Sequence, residues 1–497
     1  MREKIKFVGL VAGPLLALGV SLVLPEVCRE GECVALSDTG RATVVVAVWM
    51  AVWWLTEAIP VYVTALMHLA LFPLLGVAAI KPAAAPYGHE LIYLFFGGFV
   101  VALAIQRWGL HRRIAYVVLS VVGRSSNHIV GGFMLISALL SMWISNTATT
   151  IMLLPIALSV LDVITDESQA SSEARRNLGL CMLLGIAYAA SIGGIATLIG
   201  TPPNLFLASF VEEQIGIEIG FARWMAVGLP ISAVLLPVCW LILTRFQYPV
   251  DIERLDRVPE TMRRSLAELG PISKGERIAM FVFSGMAIGW MLRPILSKIT
   301  LMDYTPLAGL TDTGIAMMAA IILFVIPVDF RSRKFAMSWD SMAGLPWGVL
   351  LLFGGGLSLA SAIQANGVSE YLGQSTAGLS ELPKILIVLS VVSMVIFLTE
   401  LTSNIATTAT LLPVLAAVAP VLGIDTMTLI VPATIAASCA FMLPVATPPN
   451  AVVFGSGQIG AGDMARTGLK LNLIGILVVT GFAYFVVGRV AALSWSQ

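Results

Sequence analysis

Apolar runs of about 20 residues recur along the whole chain, separated by short polar breaks, and each is long enough to cross a bilayer core of about 30 Å as a helix. The pattern predicts spans near 6–25, 41–60, 61–80, 90–106, 178–210, 222–244, 278–296, 313–328, 346–366, 427–455 and 469–491. The N-terminal run starts after Arg2, Lys4 and Lys6 and ends near Leu24 without a small-residue cleavage site, so it reads as an uncleaved first span. Lys and Arg cluster in alternate breaks, at Arg107–Arg113, Arg175–Arg176, Arg245–Arg277 and Arg331–Lys334. By the excess of basic residues on the inner side, these breaks and the N-terminus face the cytoplasm and the C-terminus faces out.

Two apolar segments do not fit as spans. Residues 127–161 are interrupted by Ser145-Asn146-Thr147 and Pro155, and both flanks belong on the cytoplasmic side. The segment must therefore enter and return, as must its counterpart at 383–424, which belongs to the outer side. Such re-entrant hairpins are tolerated only where protein or a water-filled cavity satisfies their irregular backbone.

An internal duplication organises this pattern. Gly97 and Gly355, Gln106 and Gln364, Ser145 and Ser403, and Pro155 and Pro413 are each 258 positions apart. Thr201-Pro202-Pro203-Asn204 recurs as Thr447-Pro448-Pro449-Asn450 at an offset of 246, and the polar stretch Asp166–Asn177 is expected to account for the difference. With five spans in each half, the halves are inserted upside down relative to each other, a plan found in secondary transporters with sites near mid-membrane. The expected division is a first span and outer loop at 1–40, repeat 1 at 41–245, a cytoplasmic linker at 246–277 and repeat 2 at 278–497. Repeat 1 carries a hairpin tip at 145–147 and a broken helix at 200–204. In repeat 2 these fall at 403–405 and 446–450. The fold class is an all-α polytopic membrane protein of about 11 transmembrane helices plus two re-entrant hairpins, in two inverted-topology repeats.

Composition agrees. Of 497 residues, 58% are hydrophobic and only 12% charged, with 29 basic against 29 acidic residues. A soluble domain carries about twice that share of charge, and the balance leaves no basic footprint for nucleic acid. The five cysteines show no zinc spacing, and only Cys28 and Cys33, bracketing a polar loop, are placed to form a bridge.

The chemistry lies in the interruptions. Ser, Asn and Thr start helices, and the free N–H groups of a helix start attract anions. The half-helix arriving at each tip ends in carbonyl oxygens, which with Ser, Thr and Asn oxygens suit sodium. A Pro-Pro pair cannot continue a helix, so the Thr-Pro-Pro-Asn elements break two spans at mid-depth. One such feature alone is an ordinary kink, whereas two tips and two breaks paired across an inverted repeat mark a binding site. Glu57 and Glu400 are the main intramembrane acids, the first expected to be structural and the second to sit near a cation. His68, His89, His111 and His128 are dispersed and receive no chemistry. The glycine runs at 97–98 and 354–356 are expected to allow close helix approach.

Ala437-Ser438 through Phe441, Pro444-Val445-Ala446, Asn450 and Val452-Val453 resemble the signature stretch of the divalent anion/sodium symporters. The paired tips, the Thr-Pro elements and the early Trp53-Trp54-Leu-Thr56-Glu57-Ala-Ile-Pro60 are similar to that family too. The resemblance implies a homodimer, with a scaffold and a mobile part, that moves C4-dicarboxylates such as succinate or malate with sodium by an elevator-like motion. It implies no cofactor beyond sodium as coupling ion. A first sodium site would use Ser141, Ser145, Asn146 and Gly200, and a second Thr399, Thr402, Asn404 and Ala446. Substrate carboxylates would meet Ser145, Asn146, Thr147, Ser403 and Asn404, with Thr201, Pro202, Thr447 and Pro448 lining the same cavity. Ile405 departs from the family by replacing a threonine, which removes one hydroxyl from the substrate side.

The competing readings are a sodium-independent dicarboxylate or citrate antiporter of the same fold, and sulfate or citrate as substrate. An intramembrane serine protease is rejected, because Gly356-Leu-Ser358 lacks a following glycine and a nearby histidine. The absence of an Asn-x-Ser/Thr sequon and the short outer loops point to a bacterial inner membrane.

Overall fold

The computed structural model describes residues 2–29, 32–122, 125–167, 171–249, 257–300 and 304–487. The chain opens with α1 (Arg2–Val23), a hairpin of β1 (Val27–Arg29) and β2 (Glu32–Val34), and α2 (Asp38–Thr56). Cys28 and Cys33 are opposite each other in that hairpin's register; their side chains lie outside the described residues. The run expected as one span at 61–80 is instead α3 (Val61–Thr64), α4 (Met67–Leu74) and α5 (Ile80–Ala84). Pro73 and the left-handed Gly76 interrupt it. Next come α6 (Glu90–Arg107), α7 (Leu110–Val121), and the first hairpin, α8 (Ser126–Ser141) and α9 (Asn146–Glu167).

The expected span at 178–210 is broken as its motif requires, into α10 (Ser172–Ile195) and α11 (Pro202–Ile215), and α12 (Phe221–Leu241) follows. All residues of α10 from Leu178 to Ile195 are buried, so this helix is the centre of the molecule. Gly193 makes that possible, since a Cβ there would sit 2.3 Å from the Ala138 carbonyl oxygen on α8. The described part of the stretch Asp166–Asn177 is mostly helical rather than a polar loop. α9 continues to Glu167 and α10 begins at Ser172, so the described residues of the stretch extend both helices, while 168–170 fall outside the description.

The second half contains α13 (Arg257–Glu268), α14 (Lys274–Leu296), α15 (Asp312–Val325), a hairpin of β3 (Pro327–Asp329) and β4 (Lys334–Phe335), and α16 (Trp347–Ala365). It closes with α17 (Val368–Thr376), the second hairpin α18 (Lys384–Thr399) and α19 (Asn404–Val421), the broken pair α20 (Thr426–Ala437) and α21 (Pro448–Phe454), and α22 (Ala461–Phe482). Ten helices among the described residues are long and apolar enough to cross a membrane, and several shorter apolar ones complete the broken spans and hairpins. The linker is more than a tether, because α13 buries Val258, Pro259 and Met262 and packs on α7 and α9.

Contacts sort the helix ends into two poles. At one, Arg107 donates to Ser338 and Ser341, Arg113 pairs with Glu276 at 2.7 Å, Arg176 pairs with Asp463, and Tyr248 reaches Asp463 and Thr467. At the other, Tyr371 donates to the Pro25 carbonyl, His89 approaches Glu212 and Glu213, and Arg293 pairs with Glu218 at 2.6 Å and Asp312 at 3.5 Å. The first pole carries the basic breaks and is cytoplasmic. The ends of the first hairpin, Ser126 and Glu167, lie with the helix ends of the cytoplasmic pole, and those of the second, Lys384 and Val421, with the outer pole. The glycine runs serve close approach: a Cβ on Gly97 would lie 2.6 Å from the Ala316 backbone, and one on Gly355 would lie 2.3 Å from the Ala65 carbonyl oxygen.

Candidate functional site

The two tips are built alike. In the first, Ser145 Oγ accepts from the Ala148 N–H at 3.3 Å and Thr150 Oγ1 donates to the Asn146 carbonyl at 2.9 Å, which starts α9 tightly. In the second, Thr408 Oγ1 donates to the Asn404 carbonyl at 2.8 Å. Ser141 and Thr399, at the ends of the arriving helices, donate to the Oδ1 atoms of Asn146 and Asn404 respectively. Thr399 also donates to the Ala437 carbonyl at 2.9 Å. Thr402 and Thr407 share a 2.6 Å hydroxyl contact in the second tip, while Ile144 occupies the position of Thr402 in the first.

One end of the Asn146 amide lies beside Ser141 Oγ, 3.2 Å from the Ala190 carbonyl oxygen and 3.3 Å from that of Gly200. With nitrogen there it donates to both carbonyls. With oxygen there, Ser141 Oγ–H donates to it, while the Ala190 and Gly200 carbonyl oxygens face it without a proton, an arrangement that a cation would relieve. Gly194 leaves room for this, because its Cβ would fall 2.8 Å from Asn146 Oδ1.

The breaks are equally paired. Pro202-Pro203 and Pro448-Pro449 each occupy the first turn of a helix, where their missing N–H groups cost nothing. The unwound stretches before them are held by buried asparagines. Asn204 donates to the carbonyls of Gly194, Ile195 and Thr197, and Asn450 to those of Ala440 and Leu443. These roles were not read from the sequence, although both residues end the duplicated motif.

The halves differ in how the stretch is tied to its hairpin. In repeat 1, Thr197 Oγ1 reaches the Met142 carbonyl at 2.5 Å and accepts from the Gly200 N–H. In repeat 2, the Glu400 carboxylate accepts from the backbone N–H groups of Phe441, Met442 and Leu443 at 2.7 to 3.0 Å and from Asn472 Nδ2 at 2.7 Å. Glu400 is 3% exposed, so these four donors stand in for water. Its geometry is that of a clamp on the break.

Tips and breaks meet in one cavity of about 760 Å³. Ser145, Asn146, Thr147, Gly200, Thr201 and Pro202 line it from repeat 1, and Ser403, Asn404, Ile405, Ala446, Thr447 and Pro448 from repeat 2. Ser141, Thr399 and Thr402 do not line it; they are buried behind the tips. The opposite wall consists of Glu57, Tyr62, Phe99, Leu103 and Gln106 with the start of α16. Glu57 ends α2 in a left-handed conformation, φ 48°, which few side chains adopt without functional or structural compensation. It is the only charged residue among those lining the cavity, so no Lys or Arg faces a bound anion. Since Glu57, Gln106 and Pro346 stand at the cytoplasmic ends of α2, α6 and α16, the cavity opens to the cytoplasmic pole.

A family model described as the sodium:sulfate symporter transmembrane region matches residues 18–488. The sodium-dependent dicarboxylate transporter SdcS of Staphylococcus saprophyticus is 37% identical over 99% of this chain and 93% of its own length. The protein of the same name from Staphylococcus aureus strain USA300 is 36% identical over the same shares. Among solved structures, the YdaH transporter of Alcanivorax borkumensis superposes with a TM-score of 0.59 at 12% identity, covering 99% of both chains, a likeness of fold alone. The chain is thus a multi-pass membrane protein and a transporter rather than an enzyme, and it belongs to the sodium:sulfate symporter transmembrane-region family.

Proposed function

We propose that the protein is a sodium-coupled symporter of C4-dicarboxylates such as succinate or malate. The observation that carries this reading is the convergence of two pseudo-symmetric Ser-Asn tips on one cavity whose lining includes no cationic side chain. A dianion there depends on the N-termini of α9 and α19, on the hydroxyls of Ser145, Thr147, Ser403, Thr201 and Thr447, and on positive charge from elsewhere. Sodium supplies that charge. One ion is assigned to Ser141, Ser145, Asn146 and Gly200, and a second to Thr399, Thr402, Asn404 and Ala446. The carboxylates are assigned to Ser145, Asn146, Thr147, Ser403 and Asn404, beside Pro202, Pro448 and Ile405. Coupling then follows from electrostatics, because each ligand lowers the cost of placing the other in a low-dielectric site.

The unit of hairpins and broken helices moves as an elevator against the wall of α2, α6 and α16, carrying the site between the poles, and the working form is a homodimer. SdcS relatives named for sodium-dependent dicarboxylate transport support the substrate and coupling ion. Uptake of labelled succinate into proteoliposomes, with and without an inward sodium gradient, tests the reading. Sodium-dependent accumulation is expected. Exchange that needs internal dicarboxylate and ignores sodium would establish the antiporter instead, and competition by sulfate or citrate but not malate would reassign the substrate.

A further inference from the structure

Helices α6 and α16 hold equivalent places in the two halves. At the 258-residue offset, Gly97, Gly98, Ala104, Ile105 and Gln106 recur as Gly355, Gly356, Ala362, Ile363 and Gln364. Both helices end on a left-handed glycine, Gly109 at φ 75° and Gly367 at φ 72°. In each, the glycine N–H bonds to the carbonyl of the matched glutamine, at 3.1 and 3.3 Å. The glycine and aliphatic matches are explained by helix packing. The glutamines are not, for neither side chain has a hydrogen-bond partner among the described residues, and they are the polar members of that matched run.

Their surroundings are opposite. Gln106 stands at the cytoplasmic pole and lines the open cavity across from the first tip, and it also borders a side cavity of about 330 Å³. Gln364 stands at the outer pole, exposed, on the helix that packs against α11 of the other half. One turn before it, Ser361 Oγ accepts from Gln214 Nε2 of α11 at 3.1 Å. The counterpart of Ser361 in α6 is Leu103, which lines the open cavity. One helix position therefore lines the cavity in one half and makes a helix-to-helix hydrogen bond across the halves in the other. Inverted repeats exchange such environments when access alternates.

We propose that Gln106 and Gln364 are a matched pair of carboxylate-binding residues, one for each vestibule. The Gln106 amide donates to a carboxylate of the anion in the cytoplasm-facing cavity, and the Gln364 amide does the same when α11 parts from α16 and the cavity faces out. An amide suits this task. It offers two N–H donors to a carboxylate, yet carries no fixed charge that would hold a dianion back from release. The inference rests on the dicarboxylate reading above.

The test measures succinate KM from each face, in right-side-out and inside-out membrane vesicles, under a sodium gradient directed inward to the vesicle. Gln106→Ala is expected to raise KM by about three- to tenfold in inside-out vesicles, the effect of losing one hydrogen bond, and to change it less than about twofold in right-side-out ones. Gln364→Ala should give the mirror result. Gln106→Glu and Gln364→Glu keep the size of the side chain and add repulsion, so they should raise KM further on the same faces; a purely structural role predicts that they behave like wild type. Equal changes on both faces, effects on kcat alone, or no change would overturn the proposal while wild-type transport stands. Failure of the wild type to move succinate with sodium would overturn the functional reading itself, and the pair's assignment with it.

Discussion

Asn204 and Asn450, 246 residues apart, each turn a buried amide nitrogen onto the carbonyls released by the break in their own helix. The freed carbonyls are buried with them, and a bare one costs about 1–3 kcal/mol. Asn450→Ala leaves the Ala440 carbonyl bare and takes one of two donors from Leu443, and Asn204→Ala leaves Gly194 bare and takes one of two donors from both Ile195 and Thr197. Both should lower the thermal unfolding midpoint in detergent, with Asn204→Ala the more damaging. Equal stability to wild type in both variants would show that the amides are not what holds the breaks.

Glu400 fixes the second break by a different route, since its charge is matched to three consecutive N–H groups and Asn472. Glu400→Gln keeps the shape but turns an NH₂ toward donors. Each charge-assisted bond lost costs about 1.5–3 kcal/mol. Because residues 441–443 lead directly to Ala446, the expected outcome is a higher sodium concentration for half-maximal succinate uptake together with lower thermal stability. Sodium activation at the wild-type concentration would mean that the clamp does not reach the cation site.

How far these features can be read from sequence depends on how local their causes are. The tips and breaks were legible, because polar residues and paired prolines inside apolar runs have few structural outlets, and duplication removed the ordinary one. The poles followed from Lys and Arg. The clamp at Glu400 was not legible, since its partners are backbone N–H groups about 40 residues away and any residue type supplies an N–H. Helices α7 and α13 were missed for another reason: they lie along the cytoplasmic pole, are 12 residues each, and never form a span-length apolar run. Thr402 and Ile144 carry a further lesson. The repeat aligns them, and only the structure shows that Thr402 bonds Thr407 while Thr149, the counterpart of Thr407, has a buried hydroxyl without a partner among the described residues.

At the outer pole, beyond the apolar part of α11, burial beside Glu90, Glu218 and Glu213 pushes the Glu212 carboxyl up from 4.5 to about 7. The folded state therefore binds a proton more tightly than the unfolded chain does. Stability from this group is fully present below the unfolded value and falls as pH rises through about 7. The unfolding midpoint in detergent should accordingly drop between about pH 5 and pH 8, and Glu212→Gln should flatten that part of the profile. An unchanged slope in the variant would locate the pH dependence in other groups.

Ile405 stands in the second tip where Thr147 stands in the first, and both line the cavity. The cation residues assigned to this tip, Thr399, Thr402, Asn404 and Ala446, do not include its side chain. A hydroxyl there adds one hydrogen bond to the anion, worth about 0.5–1.5 kcal/mol and so at most about tenfold in affinity. Ile405→Thr is therefore expected to reorder affinities among succinate, malate, citrate and sulfate within that limit while the sodium activation curve stays in place. Removing the isoleucine also takes an apolar side chain, 7% exposed, from the packing of α19, so a small loss of thermal stability should accompany the change. If the variant instead loses sodium activation and keeps the wild-type substrate order, residue 405 belongs with the cation ligands or their packing, and the division of the second tip between anion and sodium must be redrawn.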